Sequence, residues 1–311
     1  MKAVRYHSYG DSSVLVHEEA PRPAPGPGQV VLQVAGTAFN PLDVAIRAGY
    51  VQQDFPIAAF PHIPNYDVAG VITDLGDDVT GWAIGDAVIA ALPPIAPGAA
   101  AEYVAVAADA LAAAPRTVDL ADAAALPSVA LTAWQSLFEH AQLKKGQTIL
   151  INGAGGAVGG YAVQLATQAG ATVTATASGR SASRVRAYGA DRVIDYTTEP
   201  LADAAAGQRF DVVLNLVRTS PQETAQLAEL TVDGGTLVST TFPDAGNPGR
   251  GIRVVTVYLH PDAAQLADLV SRVDAGELKI DVAARRPLTE LAAVHDEAVT
   301  GQLAGRTVLI P

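Results

Sequence analysis

The 311-residue chain contains no cysteine. That absence excludes disulfides, thiolate catalysis and every zinc site that needs a cysteine ligand. Positive charge is scarce: 20 lysines and arginines face 32 aspartates and glutamates, a formal net charge of −12. Nucleic acid and anionic membrane are therefore poor partners for the surface as a whole, although a local arginine cleft suffices for an anionic small molecule. Lysine occurs only as Lys2, Lys144, Lys145 and Lys279. This bias toward alanine and arginine is associated with GC-rich bacteria. No stretch is long and apolar enough to span a bilayer, and Met1-Lys2-Ala3-Val4-Arg5-Tyr6 lacks the apolar core of a signal peptide. No internal repeat is visible. The expectation is a soluble, cytoplasmic protein.

What is present suggests two domains. The length and an apolar content of 49% allow substantial cores. Up to about residue 116 the chain reads as short strands at 2–6, 14–16, 29–35, 67–74, 87–90 and 101–105. The proline-rich run Pro21-Arg22-Pro23-Ala24-Pro25-Gly26-Pro27-Gly28 suits an extended connector. Many short strands punctuated by Pro and Gly point to a small barrel. Helical patterns follow at 119–125 and 128–140, then strands at 148–151, 171–177, 192–194, 212–215, 236–239 and 253–259 with helices between them. That alternation is the pattern of a doubly wound parallel sheet. The tail offers a helix at 261–275, a short strand near Ile280, a helix at 288–300 and a last strand at 307–310. One economical layout is a barrel closed by the C-terminal tail, with the parallel-sheet domain inserted.

The most telling stretch is Thr148-Ile149-Leu150-Ile151-Asn152-Gly153-Ala154-Gly155-Gly156-Ala157-Val158-Gly159-Gly160. A buried strand runs into glycines, and Val158, Tyr161, Ala162, Leu165 and Ala166 then recur at helical spacing. Strand, glycine turn and helix form the phosphate-binding corner of a dinucleotide fold, where helix N–H groups and the dipole hold a pyrophosphate. The spacing reads as Ala154-x-Gly156-x-x-Gly159, with alanine in place of the first glycine. Glycine clusters are often only turns, but the following strand at 171–177 completes a βαβ unit.

The end of that second strand selects the coenzyme. An NAD site places an acid there; this chain has Ser178-Gly179-Arg180-Ser181, with Arg184 one turn on. A guanidinium clamps a 2′-phosphate that a carboxylate repels. The expectation is NADPH rather than NADH. The competing reading is that both arginines are solvated surface charges.

Motifs along the whole length carry a family resemblance. They include Phe39-Asn40-Pro41-Leu42-Asp43-Val44, Pro64-Asn65-Tyr66-Asp67-Val68-Ala69-Gly70-Val71 and Gly81-Trp82-Ala83-Ile84-Gly85-Asp86-Ala87-Val88. Leu131-Thr132-Ala133-Trp134, Gly189-Ala190-Asp191-Arg192-Val193-Ile194-Asp195-Tyr196 and Gly305-Arg306-Thr307-Val308-Leu309 complete the set. The sequence resembles the zinc-independent quinone oxidoreductases of the medium-chain dehydrogenase/reductase superfamily, the zeta-crystallin-like family. The resemblance implies an α/β fold: a GroES-like β-barrel catalytic domain (1–116 and 260–311) and a Rossmann NADPH-binding domain (117–259), with the active site in the cleft between them. It implies hydride transfer from NADPH to a quinone. An enoyl or enone reductase, possibly of secondary metabolism, uses the same site. A non-catalytic NADPH-binding sensor or scaffold is the reading from another class. A homodimer, formed by edge pairing of Rossmann strands near 254–259, is the family's usual assembly.

The resemblance also assigns residues. No metal is expected: Tyr66-Asp67 stands where zinc-dependent relatives have His-Glu, and the six histidines show no ligand spacing. Asn40 matches the asparagine lining the substrate site, though Asn before Pro is also a good turn residue. Thr132 matches a contact of the nicotinamide end, and Tyr50 and Tyr66 are candidate pocket residues or proton donors. Asp43 and Asp67 are read mainly as structural hydrogen-bonding groups. Gly155, Gly156, Ala157 and Val158 are expected around the pyrophosphate. Ser178, Arg180, Ser181 and Tyr196 are expected at the adenosine end. Asn215, Leu216, Val217, Ser239, Thr240 and Thr241 are expected beside the nicotinamide ribose, and Arg306 is a further cofactor contact. The loops 51–60 and 242–250 are expected to wall the acceptor pocket.

Overall fold

The computed structural model describes residues 1–241 and 248–311; of the loop 242–250, residues 242–247 lie outside the described residues. In chain order the first strands are β1 (Lys2–Arg5), β2 (Val16–Glu19), β3 (Gln29–Ala38), β4 (Asp67–Leu75), β5 (Ala87–Ala91), β6 (Tyr103–Ala107) and β7 (Ala112–Ala113). Then come β8 (Thr148–Asn152), β9 (Thr172–Ala177), β10 (Arg192–Asp195), β11 (Phe210–Asn215), β12 (Thr231–Ser239), β13 (Arg253–Thr256), β14 (Ala284–Pro287) and β15 (Thr307–Ile310). The α-helices are α1 (Pro41–Arg47), α2 (Leu120–Ala123), α3 (Pro127–Trp134), α4 (Ala157–Gln168) and α5 (Gly179–Ala187). They continue with α6 (Leu201–Ala204), α7 (Pro221–Glu229), α8 (Ala263–Asp274) and α9 (Leu291–Val299). Two compact units result: Met1–Ser128 with Pro261–Pro311, and Val129–His260.

The first unit joins the short strands of the N-terminal part to the C-terminal tail. Its main sheet runs β14-β15-β3-β4-β5-β7, with β6 also on β3. β3 and β4 alternate buried aliphatics (Val30, Leu32, Val34, Val68, Ile72), which pack with Val88, Val104 and Val106 into one core. β4 is antiparallel to β3 with Asp67 opposite Ala38. The chain's last strand enters the same sheet: β15 is antiparallel to β3, with Val308 opposite Ala38. The start of α1, the start of β4 and the approach to β15 thereby meet at one corner. α1 starts at Pro41, whose missing N–H costs nothing at the first helical position. Asp43 accepts the Asn40 N–H at 3.0 Å.

The second unit is a six-stranded parallel sheet in the order β10-β9-β8-β11-β12-β13. Numbered within the unit this is 3-2-1-4-5-6, the doubly wound Rossmann order, with its reversal between β8 and β11. Ile149, Leu150 and Ile151 are all fully buried, as a central strand covered on both faces requires. No helix among the described residues is long and apolar enough to cross a membrane.

Several elements differ from the sequence expectation. Val14 lies in a 3-10 turn (Ser12–Val14), because the Asp11 side chain accepts the Ser13 N–H and caps it. The tail strand is Ala284–Pro287 rather than a segment near Ile280: its residues are half-buried or exposed, so this edge strand carries no apolar signature. The helix expected over 128–140 is α3 followed by a π-helical segment, Gln135–His140. α1 itself had no helical signature, being a single short segment of 7 residues.

Candidate functional site

In the second unit, β8 hands over to α4 through the glycine turn. Gly153 takes φ +94°, a left-handed value that only glycine adopts freely. A Cβ on Gly159 would lie 2.4 Å from the Gly153 carbonyl oxygen and 2.5 Å from Ala154 Cα, so this glycine lets helix and turn touch. A Cβ on Gly155 would lie 2.4 Å from Ser181 Oγ. Gly156, the N-cap residue of α4, is exposed and offers no side-chain cap, and a Cβ there would lie 3.4 Å from the Gly153 carbonyl oxygen. Among the described residues the N–H groups of Gly155, Ala157 and Val158 find no acceptor. Unclaimed donors at a helix N-terminus form an anion site.

The carboxyl ends of the neighbouring strands are stapled around that turn. Thr176 Oγ1 accepts the Gly153 N–H at 2.8 Å and donates to Asn152 Oδ1 at 2.9 Å. Asn152 Nδ2 donates to Asn215 Oδ1 at 2.9 Å, and Asn215 Nδ2 donates to the Val217 carbonyl at 2.9 Å. Asn215 and Ser239 are buried and serve this staple, and Ser239 Oγ also accepts the Thr241 N–H. Leu216 donates its N–H to the Asn152 carbonyl. Val217 and Thr240 keep accessible surface at this edge, the place where open α/β sheets bind ligands. Thr132 is half-buried on α3.

At the end of β9, Ser178 is the N-cap residue of α5. Arg180 is exposed and has no partner among the described residues. Ser181 is buried, with its hydroxyl donating to the Ser178 carbonyl at 3.3 Å beneath Gly155. Arg184 donates Nη2 to the Gly155 carbonyl at 2.9 Å, bracing the turn. Tyr196 is 55% exposed. The structure adds Asp195, which sequence spacing did not single out: it ends β10, directly opposite Ala177 of β9.

The first unit holds a buried polar cluster at the corner described above. Asp67, wholly buried, accepts the Ser128 N–H and hydroxyl at 2.6 Å each and Asn40 Nδ2 at 2.8 Å. It also pairs with Arg306 Nη2. Arg306 Nη1 donates to Asn40 Oδ1 at 2.8 Å and to the Phe39 carbonyl at 2.7 Å. Arginine only donates and a carboxylate only accepts, so the Asn40 amide has one allowed orientation. One of its two N–H hydrogens goes to Asp67 and the other has no partner among the described residues. The structure places Arg306 in this cluster. Its Nε is buried without a partner among the described residues, as are both amide atoms of Asn65, which has φ +68°.

Two acids of this region have different environments. Asp43 accepts N–H bonds from Asn40 and Asn65, but burial dominates and pushes its carboxyl up to about 7. Burial first, and then the carboxylates of Asp43 and Asp67, raise the Tyr66 phenol well above its ordinary value, so it stays protonated. Tyr50, just past α1, is 79% exposed. Zinc does not fit this corner. The Asp67 carboxylate is saturated by four donors, and among the described residues no group of three or more His, Asp or Glu is placed to hold a metal.

Comparisons with known proteins agree with this architecture. Residues 26–116 match the alcohol dehydrogenase GroES-like domain and residues 188–309 match the zinc-binding dehydrogenase family. The chain is 32% identical to the chloroplast envelope quinone oxidoreductase homolog of Arabidopsis thaliana, over 100% of this chain and 98% of the relative. It is 33% identical to the chloroplastic NADPH-dependent alkenal/one oxidoreductase of the same plant, over 100% of this chain and 80% of the relative. Among solved structures, the quinone oxidoreductase from Coxiella burnetii superposes with a TM-score of 0.92 at 29% identity, covering 100% of this chain and 99% of that one. With its two units, its Rossmann strand order and this full-length similarity, the chain belongs to the quinone oxidoreductase family of the medium-chain dehydrogenase/reductase superfamily.

Proposed function

We propose that the chain is an NADPH-dependent, zinc-independent reductase that passes hydride to a quinone. The observation that carries the reading is the trio of unclaimed N–H groups at Gly155, Ala157 and Val158, seated where a dinucleotide fold holds its pyrophosphate. NADPH, when bound, supplies the hydride. Gly155, Gly156, Ala157 and Val158 hold the pyrophosphate; Ser178, Arg180, Ser181 and Tyr196 lie at the adenosine end; Leu216, Val217, Thr240 and Thr132 belong to the nicotinamide end. The names of the relatives support both coenzyme and acceptor class.

Reduction of a carbonyl acceptor builds negative charge on its oxygen, and with no metal a hydrogen-bond donor must meet it. The free N–H of Asn40 is that donor. Arg306 draws electron density from Asn40 Oδ1 and Asp67 fixes the other hydrogen, so the amide is oriented and polarised before substrate arrives. Here Arg306 acts through Asn40 rather than through the coenzyme. Tyr66, held protonated, is the available phenolic donor. A second reading, reduction of α,β-unsaturated ketones, is favoured by the 33% identity to an alkenal/one oxidoreductase.

The test follows the absorbance of NADPH with a panel of quinones and enones. Faster turnover of quinones supports the first reading and of enones the second. Coenzyme binding without turnover of either would leave only a sensor or scaffold. We also propose a homodimer built on β13, the sheet's edge strand, which light scattering would check.

A further inference from the structure

Asp195 brings a carboxylate to the start of α5 from an unexpected strand. The acid that reads a ribose in dinucleotide folds normally sits at the end of the second strand. Here that place is Ser178, and β10, the next strand over, supplies the acid: Asp195 lies opposite Ala177, the last residue of β9. Its orientation is fixed. Oδ1 accepts the Thr197 N–H at 3.0 Å and the Thr197 hydroxyl at 2.6 Å. Oδ2 is left without a partner among the described residues and lies 3.7 Å from where a Cβ on Gly179 would stand. The Thr197 bonds hold the carboxyl below its ordinary range, so it is charged at every working pH.

We infer that Asp195 is a coenzyme-selectivity residue, whose free Oδ2 opposes the 2′-phosphate that Arg180 attracts and accepts a ribose hydroxyl in its place. This deepens the proposed function and rests on it. Arg180 and Asp195 flank the same helix start, at Ser178 and Gly179, yet form no ion pair with each other. The opening therefore presents one positive and one negative group, each free to meet a ligand. A 2′-phosphate meets attraction and repulsion together. A ribose bearing a 2′-hydroxyl meets an acceptor and no penalty. The site therefore uses NADPH while keeping useful affinity for NADH.

The test compares wild type, Asp195→Asn and Arg180→Ala by direct titration with NADPH, NADH, adenosine 2′,5′-bisphosphate and ADP, followed by calorimetry. Asparagine keeps the oxygen that Thr197 needs, so the turn after β10 stays intact. Asp195→Asn should raise the NADPH-to-NADH affinity ratio about tenfold, with the gain shrinking at high salt as a charge effect must. Arg180→Ala should lower the same ratio about tenfold. An unchanged ratio in Asp195→Asn, or equal weakening of all four ligands, overturns the inference while leaving the proposed function standing if the wild type binds NADPH. Failure of the wild type to bind any of the four overturns the proposed function, and this inference with it.

Discussion

Replacing Arg306 with methionine tests the buried cluster most directly. The side chains of Arg306 and Asp67 are 4% and 0% exposed, so the substitution leaves a carboxylate in the interior without its counter-ion. Breaking a buried pair from one side costs about 3–5 kcal/mol. Asp67 keeps both Ser128 donors and Asn40, which argues for the lower end, about 3 kcal/mol. The loss also strips a donor from the Phe39 carbonyl and from Asn40 Oδ1. Urea unfolding measures it, read by Trp82 in a Trp134→Phe background, since Trp82 lies in the first unit and donates to the Ala108 carbonyl. The midpoint should fall by roughly 1–3 M. Pairing Arg306→Met with Asp67→Asn should cost less than the sum of the two, by about 1–3 kcal/mol. A loss below about 1 kcal/mol, or strict additivity, would mean that Asp67 does not depend on the guanidinium, and the account of Asn40's orientation would fall with it.

Three further outcomes are expected. Asn40→Ala should lower kcat with a quinone on the order of 100-fold while changing coenzyme affinity little; an unchanged kcat would remove Asn40 from the chemistry. Gly159→Ala places a Cβ within 2.4 Å of backbone and should abolish tight NADPH binding in calorimetry; retained binding would mean that the turn is not held as described. His295 is buried, accepts from Arg47 Nε at 3.2 Å, and burial holds it down to about 3. A lowered histidine means that the unfolded chain takes up the proton first, so its contribution is full above about 6.5 and drains as pH falls toward 3. His62, lowered to about 4, acts in the same direction, and Asp43, raised to about 7, acts in the opposite one. The difference between wild type and His295→Gln cancels those two. Below pH 6 the wild type should lose about 1 kcal/mol more per pH unit, and parallel curves in chemical denaturation would refute the assignment.

Which features could be read from the chain follows from how far apart their parts lie. The β8–turn–α4 corner is contained within 148–168, where apolar periodicity, glycine chemistry and the helix stop are neighbours in sequence. Alternating strands and helices announce a parallel sheet for the same reason. The edge strand Ala284–Pro287 fared worse, because its residues are half-buried or exposed and so leave no apolar pattern. Local hydrogen bonding also overrode apolar character at Val14.

By itself the sequence determined the two-part α/β architecture and the strand–glycine turn–helix corner at β8 and α4, since each rests on residues close along the chain. Tertiary structure decided the polar partners. Arg306 reaches Asp67 across 239 residues and Asn40 across 266, and Asp195 meets the start of α5 only because β10 pairs with β9 in one particular register. Strand register has a period of two and is set by the whole buried face, so no short window of sequence fixes which side chain stands opposite which.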